Sequence, residues 1–208
     1  MTEIDLSLKN EYYSQVNNKF FPEYACMPTS FIMALIYNGI HVVSSKVSSV
    51  PPSFIYPIDF QPEDFLMVLC RSPWGYNLRD KITWAVNSNI EPNQVHQVIS
   101  EIVNKMVGFE ITKFVEKSTF EDLTNLIITG KKSVVVSGKF TSSGHAVVVC
   151  GLRIDDSGKI SHILVDDPYG NYFTNYKDKN GNNTWFPKDI FCALWSNWYH
   201  VFDKLGVN

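Results

Sequence analysis

Three β-branched runs separated by short polar turns constrain this chain most. Ser133-Val134-Val135-Val136-Ser137, then His145 to Leu152, then His162-Ile163-Leu164-Val165 are divided only by Gly138 to Gly144 and by Asp155-Asp156-Ser157-Gly158. Connections that short cannot hold the helical crossover that parallel neighbours need, so the runs predict an antiparallel meander. The first half follows another period. Pro92 to Val107 carries Val95, Val98, Ile99, Ile102, Val103 and Met106 at helical spacing, and Thr119 to Ile128 opens on Glu121-Asp122 and is ended by Gly130. Helices first and sheet afterwards predict an α+β fold.

Further elements complete this reading. Cys26 to Tyr37 is an apolar, helix-compatible stretch closed by Asn38-Gly39, and Pro62 to Leu69 and Lys81 to Val86 are expected to be helical. Glu11 to Val16 reads as a short extended or edge segment, followed by a Phe20-Phe21-Pro22 turn. After Gly39, as far as Pro62, the serines, prolines and scattered aromatics predict an ordered irregular loop. Val107 to Val115 alternates toward a strand, Asn180-Gly181 marks a hairpin within Tyr172 to Trp185, and a helix over 187–195 and a strand over 198–202 close the chain. With 208 residues, 45% hydrophobic and 19% charged, residues 1–208 are expected to form one domain with a sizeable core.

The same residues exclude several function classes. A formal net charge of -3 and no basic run longer than Lys131-Lys132 leave no electrostatic footprint for nucleic acid or an anionic membrane. No apolar stretch approaches the ~20 residues of a membrane span, and Met1 to Lys9, with Glu3 and Asp5, lacks the pattern of a secretory signal. The expectation is a cytoplasmic protein, or one released without a signal peptide of its own. Cys26, Cys70, Cys150 and Cys192 are too widely spaced for a structural zinc site or a disulfide framework. Three are expected to be inert thiols and one chemical. No metal and no organic cofactor are expected; Asp178 to Asn182 reads as a turn, its glycine misplaced for a calcium loop.

Cys26 is the chemical candidate. It precedes Pro28 at the start of an apolar helix, where unpaired N–H groups and the positive end of the helix dipole stabilise a thiolate. His145 follows Gly144 at the start of one meander strand, and Asp166-Asp167 end the next, before Pro168-Tyr169-Gly170. Antiparallel neighbours put the start of one strand beside the end of the other, so the imidazole and the Asp pair are expected to meet. A carboxylate there holds the tautomer of a histidine acting as base toward sulfur. Taken singly, each has a plainer reading: Cys26 as core, His145 as a strand-end histidine, the aspartates as caps of the turn. Gln15, in a loop upstream of Cys26, taken alone reads as a solvated glutamine. Trp74, beside Gly75, is a further candidate for lining a cleft.

The order Gln15, Cys26, His145, Asp167 resembles the papain superfamily. Within it, Ala25-Cys26-Met27-Pro28-Thr29-Ser30, Gly144 to Val149 and Val165-Asp166-Asp167-Pro168-Tyr169-Gly170 resemble the bacteriocin-processing-peptidase-like cysteine peptidases, over roughly residues 10 to 40 and 130 to 200. The resemblance implies a papain-like fold, a helical half led by the nucleophile helix and packed on an antiparallel sheet. It implies Cys26 as nucleophile, His145 as general base and acid, Asp167 as the orienting carboxylate, and Gln15 with the Cys26 N–H as oxyanion hole. Asp167 is preferred to Asp166 because the family's acid directly precedes the proline. Met27 stands where the family usually has glycine, a departure that would narrow the cleft or mark an inactive descendant.

The implied substrate is a peptide bond, of a precursor leader or of peptidoglycan. Without transporter or signal segments, the expectation is a bacterial or phage lytic enzyme cleaving cell-wall peptides. The alternatives are a protein or leader protease, an acyltransferase that passes the acyl group to an amine, and a binding module on a dead scaffold. Nothing in the sequence sets an oligomeric state.

Overall fold

A computed structural model describes residues 1–7, 11–46, 52–71 and 92–203. Its centre is a seven-stranded sheet in the order β4-β9-β5-β6-β7-β8, with β1 also paired to β6. The strands are β1 (Thr2–Asp5), β4 (Thr112–Val115), β5 (Val134–Gly138), β6 (His145–Ile154), β7 (Ile160–Asp166), β8 (Thr184–Pro187) and β9 (Trp195–Phe202). All of these pairings are antiparallel, and the expected meander is β5-β6-β7. β6, the longest, pairs with β5 over residues 145–149 and with β1 over residues 151–154, so β1 continues the row where β5 stops.

Alternation along the central strands sorts side chains to two faces. Val135, Ala146, Val148, Cys150 and Leu164 join one core with α1 (Cys26–Tyr37), α2 (Pro62–Arg71) and α3 (Pro92–Val107). Val134, Val136, Val147, Val149, Ile163 and Val165 join the other with α4 (Phe120–Ile128) and α5 (Lys188–Leu194). The sheet is covered on both faces, which is why its middle strands read as unbroken apolar runs.

Helix α1 is buried over residues 27–35, as an all-round apolar helix must be. Pro28 falls in its first turn, where an amide would have no intrahelical partner, and Gly39 ends it at a φ of 72°. Asn38 ties that end to the sheet, its Nδ2 donating to the Ser133 carbonyl at 2.9 Å.

Several expectations change. Glu11–Ser14 joins no strand and Gln15–Asn17 is a 3-10 turn capped by Ser14. Two short strands, β2 (His41–Ser44) and β3 (Ser53–Tyr56), pair in parallel inside the stretch read as irregular. The Tyr172 to Trp185 stretch is no two-stranded hairpin: Tyr172–Thr174 is a 3-10 turn and only Thr184–Pro187 is a strand, paired to β7. The helix expected at Lys81 to Val86, and Trp74, lie outside the described residues.

Candidate active site

The site begins where α1 meets the start of β6. Ser30, one turn after Cys26 and on the same side of the helix, donates its hydroxyl to the Ala146 carbonyl at 3.1 Å. That bond seats the N-terminus of α1 against the residue next to His145. Cys26 is half-buried, hydrogen-bonded to the His145 ring and to the backbone amides of Met27 and Ala146. Gly144, at a φ of 85°, turns the chain into β6, and the Thr141 hydroxyl closes the turn on the Gly144 carbonyl at 2.8 Å.

Asp167 follows β7 directly. Its Oδ1 accepts from His145 Nε2 at 2.6 Å and from the Tyr169 N–H at 2.8 Å, and both side chains are buried. With Nε2 committed to the carboxylate, Nδ1 is the nitrogen left for Cys26. Asp166 points the other way, accepting from Tyr37 Oη at 2.8 Å and from the Asn183 N–H at 2.6 Å. Consecutive residues at a strand end face opposite sides of the sheet, so only one aspartate reaches the imidazole.

The electrostatics follow from these contacts. Burial pushes the Cys26 thiol up, but the hydrogen bond and charge of His145, with the two amides, bring it below its ordinary value. Burial pushes the His145 imidazolium down, and the Asp167 carboxylate and Cys26 outweigh it, lifting the ring to about 10. Opposite shifts in hydrogen-bonded partners favour a thiolate–imidazolium pair.

Gln15 is 3% exposed and lies beside Cys26 on a cavity of about 1140 Å³. Its Nε2 donates to the Pro22 carbonyl at 2.8 Å, and its Oε1 has no partner among the described residues. The backbone fixes this loop to the aspartate turn: Gln15 N–H donates to the Pro168 carbonyl at 2.8 Å, and Tyr12 Oη to the Asp167 carbonyl at 2.8 Å. The four predicted residues thus come together. Met27 turns into the core with α1 and is not among the residues lining the cavity.

Sequence reasoning missed two tyrosines. Tyr12 accepts the Gly181 N–H as well as bracing Asp167, and Tyr176 places its hydroxyl 3.3 Å from Asp167 Oδ2 and 2.9 Å from the Phe140 carbonyl. The available signal was the aromatic density of Tyr169 to Tyr176, which a hairpin reading hides. As for the other thiols, Cys70 and Cys150 are buried and Cys192 is half-buried, and none forms a disulfide among the described residues.

A family model, the Peptidase_C39 like family, matches residues 7–196. The chain belongs to that family. Peptidase_C39-like membership places the chain in the papain-like cysteine peptidase superfamily. Among curated proteins, no sequence matches it. The crystal structure of UfSP from C. elegans is similar at TM-score 0.50 and 16% identity, over 98% of this chain and 34% of that one. The chain therefore spans about a third of the UfSP chain's length. Xylellain, a cysteine protease from Xylella fastidiosa, aligns at TM-score 0.47 and 14% identity, over 98% of this chain and 86% of its own.

Proposed function

We propose that this Peptidase_C39-like chain hydrolyses peptide bonds through a thioester on Cys26. The observation that carries the reading is the unbroken hydrogen-bonded series Cys26, His145, Asp167 at a large cavity. The Cys26 thiolate adds to the scissile carbonyl carbon. The oxyanion is held by the Cys26 N–H, a donor of the first helical turn, and by the Gln15 Nε2 proton not directed at Pro22. The His145 imidazolium gives its proton to the leaving nitrogen as the C–N bond breaks. His145 then takes a proton from water, whose oxygen adds to the thioester, and the C–S bond breaks to restore the thiolate. Asp167 keeps the ring oriented throughout.

For the substrate, we favour the peptides of bacterial cell wall. A cavity of about 1140 Å³ is larger than one extended side chain needs and suits a branched, cross-linked peptide. The test is incubation of wild type and Cys26→Ala with purified peptidoglycan and, separately, with an unfolded model protein, the products identified by mass. New amine and carboxyl ends in peptidoglycan with wild type alone are expected. Cleavage of the protein alone would redirect the substrate to ordinary polypeptide, and no Cys26-dependent cleavage of either would defeat the peptidase reading.

A further inference from the structure

The cavity beside the catalytic candidates has an uneven lining. On the side of His145 stand four aromatic rings: Tyr169, Tyr172, Phe173 and Tyr176. They form one continuous surface, with centroids 4.9 Å apart for Tyr169–Tyr176, 6.2 Å for Tyr172–Tyr176 and 5.4 Å for Tyr172–Phe173. Tyr169 and Tyr176 each meet the His145 ring edge-on, at 6.1 and 6.3 Å. Phe173 is 49% exposed although it packs on Phe186 at 4.9 Å, so a face of its ring is held still in front of solvent. Asn175 and Tyr176 both take left-handed backbone, φ 53° and 59°. The Tyr176 hydroxyl, donating to the Phe140 carbonyl at 2.9 Å, keeps the ring turned to the site.

Two cations complete the wall. Lys139 and Lys179 line the same cavity, Lys179 Nζ standing 4.1 Å from the Tyr169 ring centroid. Neither belongs to an ion pair among the described residues.

We infer that the wall of Tyr169, Tyr172, Phe173 and Tyr176 is a subsite for the substrate residue on the leaving-group side of the scissile bond, and that it takes an aromatic or bulky aliphatic side chain followed by an acidic residue. The placement follows from proton transfer. His145 delivers its proton to the leaving nitrogen, so the chain bearing that nitrogen lies against the imidazole and the rings beside it. Held aromatic faces at an open cavity favour an apolar or aromatic side chain. The unpaired ammonium groups supply the complement of a carboxylate.

The inference rests on the thioester reading alone: the stem peptides of cell wall carry no aromatic residue, so an aromatic subsite turns the substrate from them to ordinary polypeptide, and the experiment separates subsite from thioester. Wild type is acylated with the activated ester N-acetylglycine p-nitrophenyl ester, and the acyl-enzyme is partitioned between water and added amines. In the productive step an amine nitrogen adds to the thioester carbonyl, the C–N bond forms, the C–S bond breaks with its electron pair returning to sulfur, and the nitrogen's proton passes to His145. By microscopic reversibility the acceptor occupies the place of the leaving group. Phenylalaninamide is expected to capture the acyl group at least tenfold better than glycinamide, and a Phe-Asp acceptor several-fold better than Phe-Lys. Phe173→Ala and, as a milder change, Phe173→Leu should each lower the aromatic preference, Ala by at least threefold. Lys179→Glu should remove the preference for Phe-Asp. Equal capture of all acceptors by wild type would overturn the subsite while leaving the thioester intact. Absence of a p-nitrophenolate burst relative to Cys26→Ala would overturn the thioester reading, and the subsite with it.

Discussion

At the scale of single residues, the chemistry depends on the direction in which two groups are pushed. Cys26 is held below an ordinary thiol and His145 is lifted to about 10, so the reactive ion pair forms on the acid side of 9 and persists until the imidazolium deprotonates. The sign is fixed by the partners: the thiolate needs the protonated ring, and the ring needs the Asp167 carboxylate. A plot of kcat/KM against pH is expected to rise through an acid limb below 9, hold a plateau, and fall through an alkaline limb near 10. Alkylation of Cys26 by iodoacetamide should follow the acid limb and at neutral pH outrun Cys70 and Cys150, which are buried, and Cys192, whose thiol burial pushes up. A single limb near 6.5 would mean a neutral imidazole acting as base on a thiol instead. Tyr176→Phe tests the support of the carboxylate. It keeps the ring and removes the hydroxyl beside Asp167 Oδ2, and a hydrogen bond to a charged group is worth about 1.5–3 kcal/mol. A fall in kcat of roughly tenfold or more with little change in KM is expected, whereas a merely structural role would lower thermal stability and leave kcat alone.

At the scale of elements, the site is an assembly of ends: the first turn of α1, the first residue of β6, the residue after β7 and a capped 3-10 turn. That is why so much of it could be read in advance. Pro28 after Cys26, Gly144 before His145 and Pro168 after Asp167 are local punctuation, and local punctuation is visible in sequence. The helices and the β5-β6-β7 meander were legible for the same reason, through uninterrupted periodicity. What escaped has a tertiary cause. β1 carries Glu3 and Asp5 and becomes a strand only because β6 outruns β5, and β2 and β3 are four residues each and pair across a proline-rich gap. Tyr12 and Tyr176 matter through where their hydroxyls arrive, which no spacing rule states. The turn after Asp167 is equally tertiary. A Cβ on Gly181 would stand 2.1 Å from the Asp167 carbonyl oxygen and 2.7 Å from that of Gly170, while Gly181 itself accepts the Asp167 N–H at 3.0 Å. Gly181→Ala must push this turn away from His145. An expected cost of about 1–3 kcal/mol in urea unfolding, with kcat/KM lowered by roughly tenfold or more, follows from overpacking and from the sensitivity of reacting geometry to small displacements. Unchanged kinetics in a folded variant would show that the turn tolerates the shift.

At the scale of the whole molecule, buried titratable groups away from the site set how stability depends on pH. On the α1 face of the sheet, α3, β5 and β9 share a hydrogen-bonded string: Ser137 Oγ to His96 Nε2 at 3.3 Å, His96 Nδ1 to His200 Nε2 at 2.8 Å, and His200 Nδ1 to Ser100 Oγ at 3.0 Å. Burial pushes His96 down to about 4 and His200 well below its ordinary value, so both stay neutral in the fold. The unfolded chain binds protons there from pH 6.5 downward, whereas in the fold His96 does so only near 4 and His200 is held well below its ordinary value, so the pair loses stability as pH falls below 6.5. Glu63, in the first turn of α2, acts in the opposite sense. It is fully buried with both carboxylate oxygens unpartnered among the described residues, and burial raises it from 4.5 to about 7. Between those values the folded chain binds the proton more tightly, so the fold is penalised progressively as pH rises, by about 3 kcal/mol once Glu63 is ionised in both states. Glu63→Gln removes the charge and nearly keeps the shape. Urea unfolding should find the variant about 3 kcal/mol more stable than wild type at pH 8 and about 1 kcal/mol or less at pH 5, where wild-type Glu63 is protonated in the fold. Equal stabilities at pH 8 would mean that this carboxylate finds a counter-charge or water when it ionises. The variant keeps Cys26, His145 and Asp167 untouched, so its pH profile of activity should overlay that of wild type while its unfolding curve does not.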